Sequence, residues 1–248
     1  MAIAEPHHSL TLTSALQWLL SVVAIACFVM TFIVQAFEIP SESMENTLLI
    51  GDYLLVDKVQ FSGSNGWEFL LPYRKIHRGD IIVFRYPVHP QQHFVKRVIG
   101  VPGDRVRIID KRVYVDGVPQ GEPYTIHTRD HDPFRDEFPT SRYYSGQVDS
   151  KWWLQMRKLT ENAELIVPLD HYFVLGDNRD DSYDSRYWGF VPAENIVGRP
   201  LLIYFSVQRD TEDPDDNPRS DAKLNLLLQR FRWQRSHIRW DRSMKVVR

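Results

Sequence analysis

The longest uninterrupted apolar pattern in the chain covers residues 15–37, ALQWLLSVVAIACFVMTFIVQAF, 23 residues without a charge. A helix of that length rises roughly 34 Å, enough to cross a bilayer. A cleaved secretion signal would have a shorter apolar core, a basic start and a small-residue cleavage motif. Residues 1–14 contain no Lys or Arg, and no Ala-x-Ala follows the run, so the pattern predicts a retained transmembrane helix over 15–37. The nearest basic residue after it is Lys58, so loop charges leave its sidedness open.

Beyond residue 37 the hydrophobic period changes to that of strands. YLLVDKV follows Gly51-Asp52, IIVFRYP follows Arg78-Gly79-Asp80, and HFVKRVI spans 93–99. Val101-Pro102-Gly103-Asp104 places Pro and Gly as a type II turn requires. RVRII and RVYVDG read as a hairpin pair, the second ending in Asp116-Gly117. Residues 118–165 lose the period and read as an inserted lobe; ELIVPLDHYFVLGDN and GRPLLIYFSV return to strands. The predicted fold is mostly β: a segment 1–14, a helix 15–37, and a domain 38–248 carrying that lobe.

The end of the chain differs again. Leu224, Leu227, Leu228 and Phe231 fall at helical spacing, and residues 222–248 hold eight Lys/Arg against one Asp. Two readings stand: a surface helix docked on its own domain, or contact with anionic lipid headgroups. The acidic stretch 210–217 reads as a solvated loop. A net charge of -2 suggests no nucleic-acid partner, and the single Cys27 lies in the apolar run, so the domain has no disulfide framework or Cys-based metal site.

Candidate chemistry lies in two short segments. Pro40-Ser41-Glu42-Ser43-Met44 follows the apolar run, and Val95-Lys96-Arg97 comes about fifty residues later. A serine hydroxyl needs a partner to take its proton, and a neutral lysine can serve. In an extended HFVKRVI, Phe94, Lys96 and Val98 share one face while Arg97 points the other way. Apolar surroundings disfavour the ammonium and bring a lysine toward the range of a general base.

Around these segments stand GDYLLVDK, RGDIIVFRYP, VKRVIGVPGD and GDNRDDSYDSRYWGFVP. Together, from Phe37 to Pro192, they resemble bacterial type I signal peptidases, and the two longest motifs are highly specific. The resemblance implies a β-rich catalytic core with a smaller inserted domain, one N-terminal membrane anchor, and cleavage of secretory preproteins after Ala-x-Ala sites through an acyl-enzyme. It implies Ser43 as nucleophile, Lys96 as general base and Ser182 as the hydroxyl that orients the lysine. The oxyanion hole would be the Ser43 N–H and the Ser41 hydroxyl. Arg97 with Asp177, and Asp184 with Arg186, correspond to structural ion pairs. Phe37, Ile39, Met44, Leu48, Phe94 and Val95 correspond to positions lining shallow pockets for small substrate side chains. Ile238-Arg239-Trp240-Asp241-Arg242 resembles the family's C-terminal strand. The family further implies a catalytic domain on the extracytoplasmic face of the cytoplasmic membrane, in contact with lipid and without metal or organic cofactor. Many relatives have two spanning helices, whereas the single apolar run here predicts a single-pass protein, and a monomer is the expectation. Asn46 departs from the pattern, standing where the family usually has proline, and a locally looser turn is the expectation.

Three other classes compete. A histidine-based hydrolase has no G-x-S-x-G and no histidine paired by sequence with Ser43. A metal site could use His127, Asp130, His131 and Asp132, although a polar loop explains them as well. A catalytically dead binding module would be favoured by replacement of Ser43, Lys96 or Ser182, and all three are present.

Overall fold

The computed structural model describes residues 12–58, 75–140, 145–208 and 238–247. The expected helix around Leu224 and the acidic loop 210–217 lie outside these residues. The apolar run forms helix α1 (Leu12–Phe28) and a wide π-helical turn, Val29–Ile33. Residues 13–31 are long and apolar enough to cross a membrane, and the protein buries none of that stretch. The helix ends earlier than its hydropathy predicts. Residues 34–37 belong to strand β1 (Val34–Glu38), which pairs antiparallel with β2 (Asp52–Asp57), Val34 opposite Asp57 and Phe37 opposite Leu54. Hydropathy cannot register this, because strand pairing satisfies the same backbone groups that further helix would. Lys58 closes the junction: its N–H donates to the Ile33 carbonyl and its Nζ to the Thr31 carbonyl, both at 3.0 Å, filling acceptors that a helix end leaves open.

The remaining strands are β3 (Ile81–Arg85), β4 (His93–Gly100), β5 (Arg105–Ile109), β6 (Arg112–Val115), β7 (Val118–Pro119), β8 (Thr160–Glu161), β9 (Glu164–Ile166), β10 (His171–Leu175), β11 (Val191–Pro192), β12 (Ile196–Ser206) and β13 (Lys245–Val246). They build two antiparallel sheets. The first runs β1-β2-β12-β3-β4-β10-β11, with β13 added on β12; the second runs β7-β6-β5-β9-β8. Short helices α2 (Pro133–Asp136) and α3 (Ser150–Lys158) connect β7 to β8, and α4 (Ser185–Trp188) follows β10. The fold is mostly β, as the strand patterns predict.

The second sheet begins at Arg105, thirteen residues before the lobe expected at 118, because the hairpin β5–β6 pairs with β9 and not with β4's sheet. The two sheets share one core, in which Ile82, Phe84, Val98 and Phe173 meet Val106, Val115 and Leu165. Gly100 lies at the crossing: a Cβ there would sit 2.7 Å from Val106 Cγ2 and 2.9 Å from Val167 Cγ2. The turn at 101–104 has Gly103 at φ +92° and an Asp104 N–H to Val101 carbonyl bond of 3.0 Å, the type II geometry its sequence predicts.

The C-terminal segment departs from expectation. Ile238 makes one bridge to Val207, residues 240–244 turn, and the strand forms later, at Lys245–Val246. Charge explains the displacement. Asp52 is fully buried and draws Arg242 across the sheet, with bonds of 2.6 and 3.2 Å, while Ser206 Oγ donates to it at 2.6 Å. A second core of Ile39, Met44, Leu48, Leu54, Val56, Ile81, Val83, Ile203 and Val247 fills the space beneath residues 39–48.

Candidate active site

The chain leaves β1, and Ile39 remains tied to the sheet through its N–H to the Asp52 carbonyl (2.9 Å) and its carbonyl to the Gly51 N–H (3.0 Å). A 3-10 turn at Glu42–Met44 then lifts Ser43 above the second core. Met44 and Leu48 are inserted into that core, and the Leu48 N–H closes the turn on the Met44 carbonyl at 2.8 Å. Buried apolar side chains on both sides thus fix where the Ser43 hydroxyl points.

Lys96 lies on β4, opposite Ile82 of β3 and two residues from Phe94. Alternation turns it toward the nucleophile: Lys96 Nζ lies 2.5 Å from Ser43 Oγ and 5.5 Å from the Phe94 ring centroid. Burial pushes the ammonium down to about 8; Asp184 and Asp177 oppose this and Arg186 reinforces it. Ser41 Oγ is 3.4 Å from Ser43 Oγ, on the open side of the turn. Ser182 stands close by, but its buried Oγ makes no hydrogen bond to Lys96.

Both expected ion pairs form, and both are buried. Arg97, on the opposite face of β4 from Lys96, holds Asp177 with two bonds of 2.8 and 2.7 Å. Asp177 also accepts from Thr47 Oγ1 at 2.5 Å, joining the pair to the nucleophile turn. Arg186 grips Asp184 with two bonds of 2.8 Å. Burial works against the Asp184 charge, yet Arg186 beside it holds the carboxyl below the usual carboxylate range.

A cleft of about 310 Å³ opens over Ser43 and Lys96. Phe37, Ile39, Met44, Phe94 and Val95 line it, as expected, joined by His93 and Tyr183. Leu48 does not reach it. Leu48 is 0% exposed and packs underneath, because the turn after Met44 directs its side chain into the second core.

The histidine-containing loop disperses. His127 faces Asp180 at 3.5 Å, His131 faces Glu137 at 3.4 Å, and Asp132 caps α2 by accepting from the Phe134 and Arg135 N–H groups at 2.9 Å. Asn46 is also not as expected. It adopts φ +82° and donates from Nδ2 to the Tyr124 carbonyl at 3.0 Å, so its turn is tied down and not loosened. Proline, confined to φ near −65°, could not take this conformation.

The family model described as signal peptidase, peptidase S26, matches residues 12–205. The chain belongs to the signal peptidase family. It is 33% identical to signal peptidase I of Aquifex aeolicus over 224 residues, covering 77% of this chain and 84% of that protein. Against the Rickettsia bellii (strain OSU 85-389) signal peptidase I the identity is 32% over 253 residues, covering 94% and 86%. The chain spans 66% of the length of the Pseudomonas fluorescens signal peptidase I, with 34% identity over 71% of its own. A crystal structure of a signal peptidase I from Enterococcus faecalis V583 aligns with a TM-score of 0.35 and 33% identity, over 51% of this chain and 97% of that one.

Two further residues of this signal peptidase family site are given no role by the sequence reading. The Asn178 N–H donates to the Ser43 carbonyl at 3.2 Å. A Cβ on Gly176 would lie 2.3 Å from both Ser182 Oγ and the Ser43 carbonyl oxygen. Both are in the motif GDNRDDS, whose glycine was the available signal; the close approach to Ser43 arises only when β10 pairs with β4.

Proposed function

We propose that the protein is a membrane-bound serine endopeptidase that removes signal peptides from secretory preproteins by a Ser43–Lys96 dyad. The observation that carries this is the 2.5 Å approach of a buried Lys96 to Ser43 at the base of an apolar cleft. With its pKa lowered to about 8, roughly a tenth of Lys96 is neutral at pH 7, far more than for an ordinary lysine, and that form can accept the Ser43 proton. Ser43 Oγ then attacks the scissile carbonyl. Negative charge develops on the carbonyl oxygen, where the Ser43 N–H and the Ser41 hydroxyl act as donors. Lys96 returns the proton to the leaving amine as the C–N bond breaks, leaving an ester on Ser43. Water deprotonated by Lys96 hydrolyses the ester and restores both groups. Ser182, whose Oγ shares the space beside Gly176 with the Ser43 carbonyl, is the hydroxyl assigned to orienting the lysine.

Shallow apolar walls from Ile39, Val95 and Phe94 suit small residues one and three positions before the cleaved bond. The exposed apolar helix next to β1 supports an anchor that holds the site at the membrane surface. The extracytoplasmic face, contact with lipid and a monomeric state are proposed with it on the family resemblance alone. Cleavage of a preprotein ending in Ala-x-Ala tests the reading. Ser43→Ala and Lys96→Ala should each nearly abolish it, and the double change should add little, because the two act as one unit. Substantial turnover by Lys96→Ala would refute the dyad.

A further inference from the structure

We infer that segment 122–126 of the inserted lobe is a strap that sets the catalytic geometry, with Asn46 as its contact to the nucleophile turn. The inference rests on the peptidase reading for its kinetic consequence. One short segment touches the nucleophile turn, the arginine next to Lys96 and the stretch 177–179. At its centre the Tyr124 carbonyl accepts from Asn46 Nδ2 at 3.0 Å, three residues after the nucleophile. The Tyr124 ring lies under the guanidinium of Arg97, 3.8 Å from its centroid, next in sequence to Lys96. At the C-terminal end Ile126 forms a parallel bridge to Asn178: its N–H donates to the Asp177 carbonyl at 3.0 Å, and its carbonyl accepts from the Arg179 N–H at 3.1 Å. At the other end Glu122 takes both arms of buried Arg179 at 2.9 and 2.5 Å, and Arg179 Nε in turn donates to the Gly176 carbonyl at 3.1 Å.

The circuit closes at the nucleophile. Asn178, held by Ile126, donates to the carbonyl of Ser43 itself. Two of the ties on the nucleophile turn, at its own Ser43 carbonyl and at the Asn46 side chain, lead back to the same five residues. The conformation of Asn46 agrees with this role. A left-handed φ of +82° is tolerated best by Gly and Asn, and of these only Asn offers an amide donor. Asn46, Tyr124 and Glu122 are positioning residues: they act through Ser43, Arg97 and Arg179 and line none of the cleft.

Full-length Asn46→Gly keeps the backbone conformation and loses the donor; Asn46→Asp keeps the shape and also loses the donor. Each should lower kcat ~5- to 10-fold with KM unchanged, and lower Tm by no more than the worth of one hydrogen bond. Glu122→Gln should behave alike, and Asn46→Gly with Glu122→Gln should lose less than the product of the two, because both slacken one strap. Unchanged kcat in both Asn46 variants, a change confined to KM or Tm, or strictly multiplicative losses would overturn the inference. Amide exchange at Ile126 and Asn178 is a readout independent of turnover: Asn46→Gly should speed it, and unaltered protection would overturn the strap whatever the preprotein assay shows. An inactive wild type alongside faster exchange in Asn46→Gly would instead count against the peptidase reading and leave the strap supported.

Discussion

Lys96 has its chemistry set by where its neighbours place it. The side chain is buried, so the neutral form is favoured, and the carboxylates that would restore its charge are themselves held by Arg97 and Arg186. Each acid thus faces a nearer cation than Lys96. For a base that must be neutral, raising pH creates the active form: kcat/KM should climb as pH rises through about 8 and level off above it. A pH–rate profile with the ascending limb near 10.4, the ordinary lysine value, would show that burial does not tune the group. Gly176 belongs to the same scale. Gly176→Ala would drive a methyl into Ser182 Oγ and the Ser43 carbonyl, and overpacking of this kind costs about 1–3 kcal/mol. The expected result is a lower urea midpoint together with a fall in kcat, since the displaced atoms belong to the site.

At the scale of elements, the alternation of β4 separates two functions on one strand. Phe94 and Lys96 face the cleft, while Arg97 turns to Asp177 and Thr47. This division was legible in HFVKRVI, because period two is a property of any extended chain. The partner of Asp52 was not legible. Arg242 is 190 residues away in sequence, and nothing local links a basic residue near the C-terminus to a buried acid at the start of β2. Removing Arg242 leaves the buried Asp52 carboxylate with Arg239, at 3.7 Å, as its remaining nearby cation, so Arg242→Ala should destabilise by about 3 kcal/mol in urea unfolding. Asp52→Leu combined with Arg242→Met should be milder than Arg242→Ala alone, because apolar replacements remove both desolvation penalties. Arg242 also donates to the Thr47 carbonyl at 3.0 Å, so the single change should slow turnover as well.

For the whole molecule, the junction between helix and domain decides where the two can be cut. Hydropathy places the end of the helix at residue 37, and pairing with β2 places it at 33. Removing residues 1–33 should leave a folded domain, since β1 keeps its full register; removing 1–36 should strip most of β1 and bare the edge of β2. The expected outcome is cooperative thermal unfolding for the first truncation, and a lower Tm with more aggregation for the second. Equal Tm values would show that β1 adds nothing to the domain.

Local signals fixed much of this protein in advance. The apolar run, the strand alternation, the Pro-Gly and Asp-Gly turns and the motif residues around Ser43, Lys96 and Ser182 depend on neighbours within a few residues, and a sequence records those directly. The tertiary structure decided what depends on distant partners. It ended the helix at β1, began a second sheet at Arg105, buried Leu48 beneath the cleft, carried Arg242 to Asp52, and gave Asn46 a carbonyl to hold. Each is a choice between locally equivalent options, settled by which backbone or charged group the fold brings within hydrogen-bond reach.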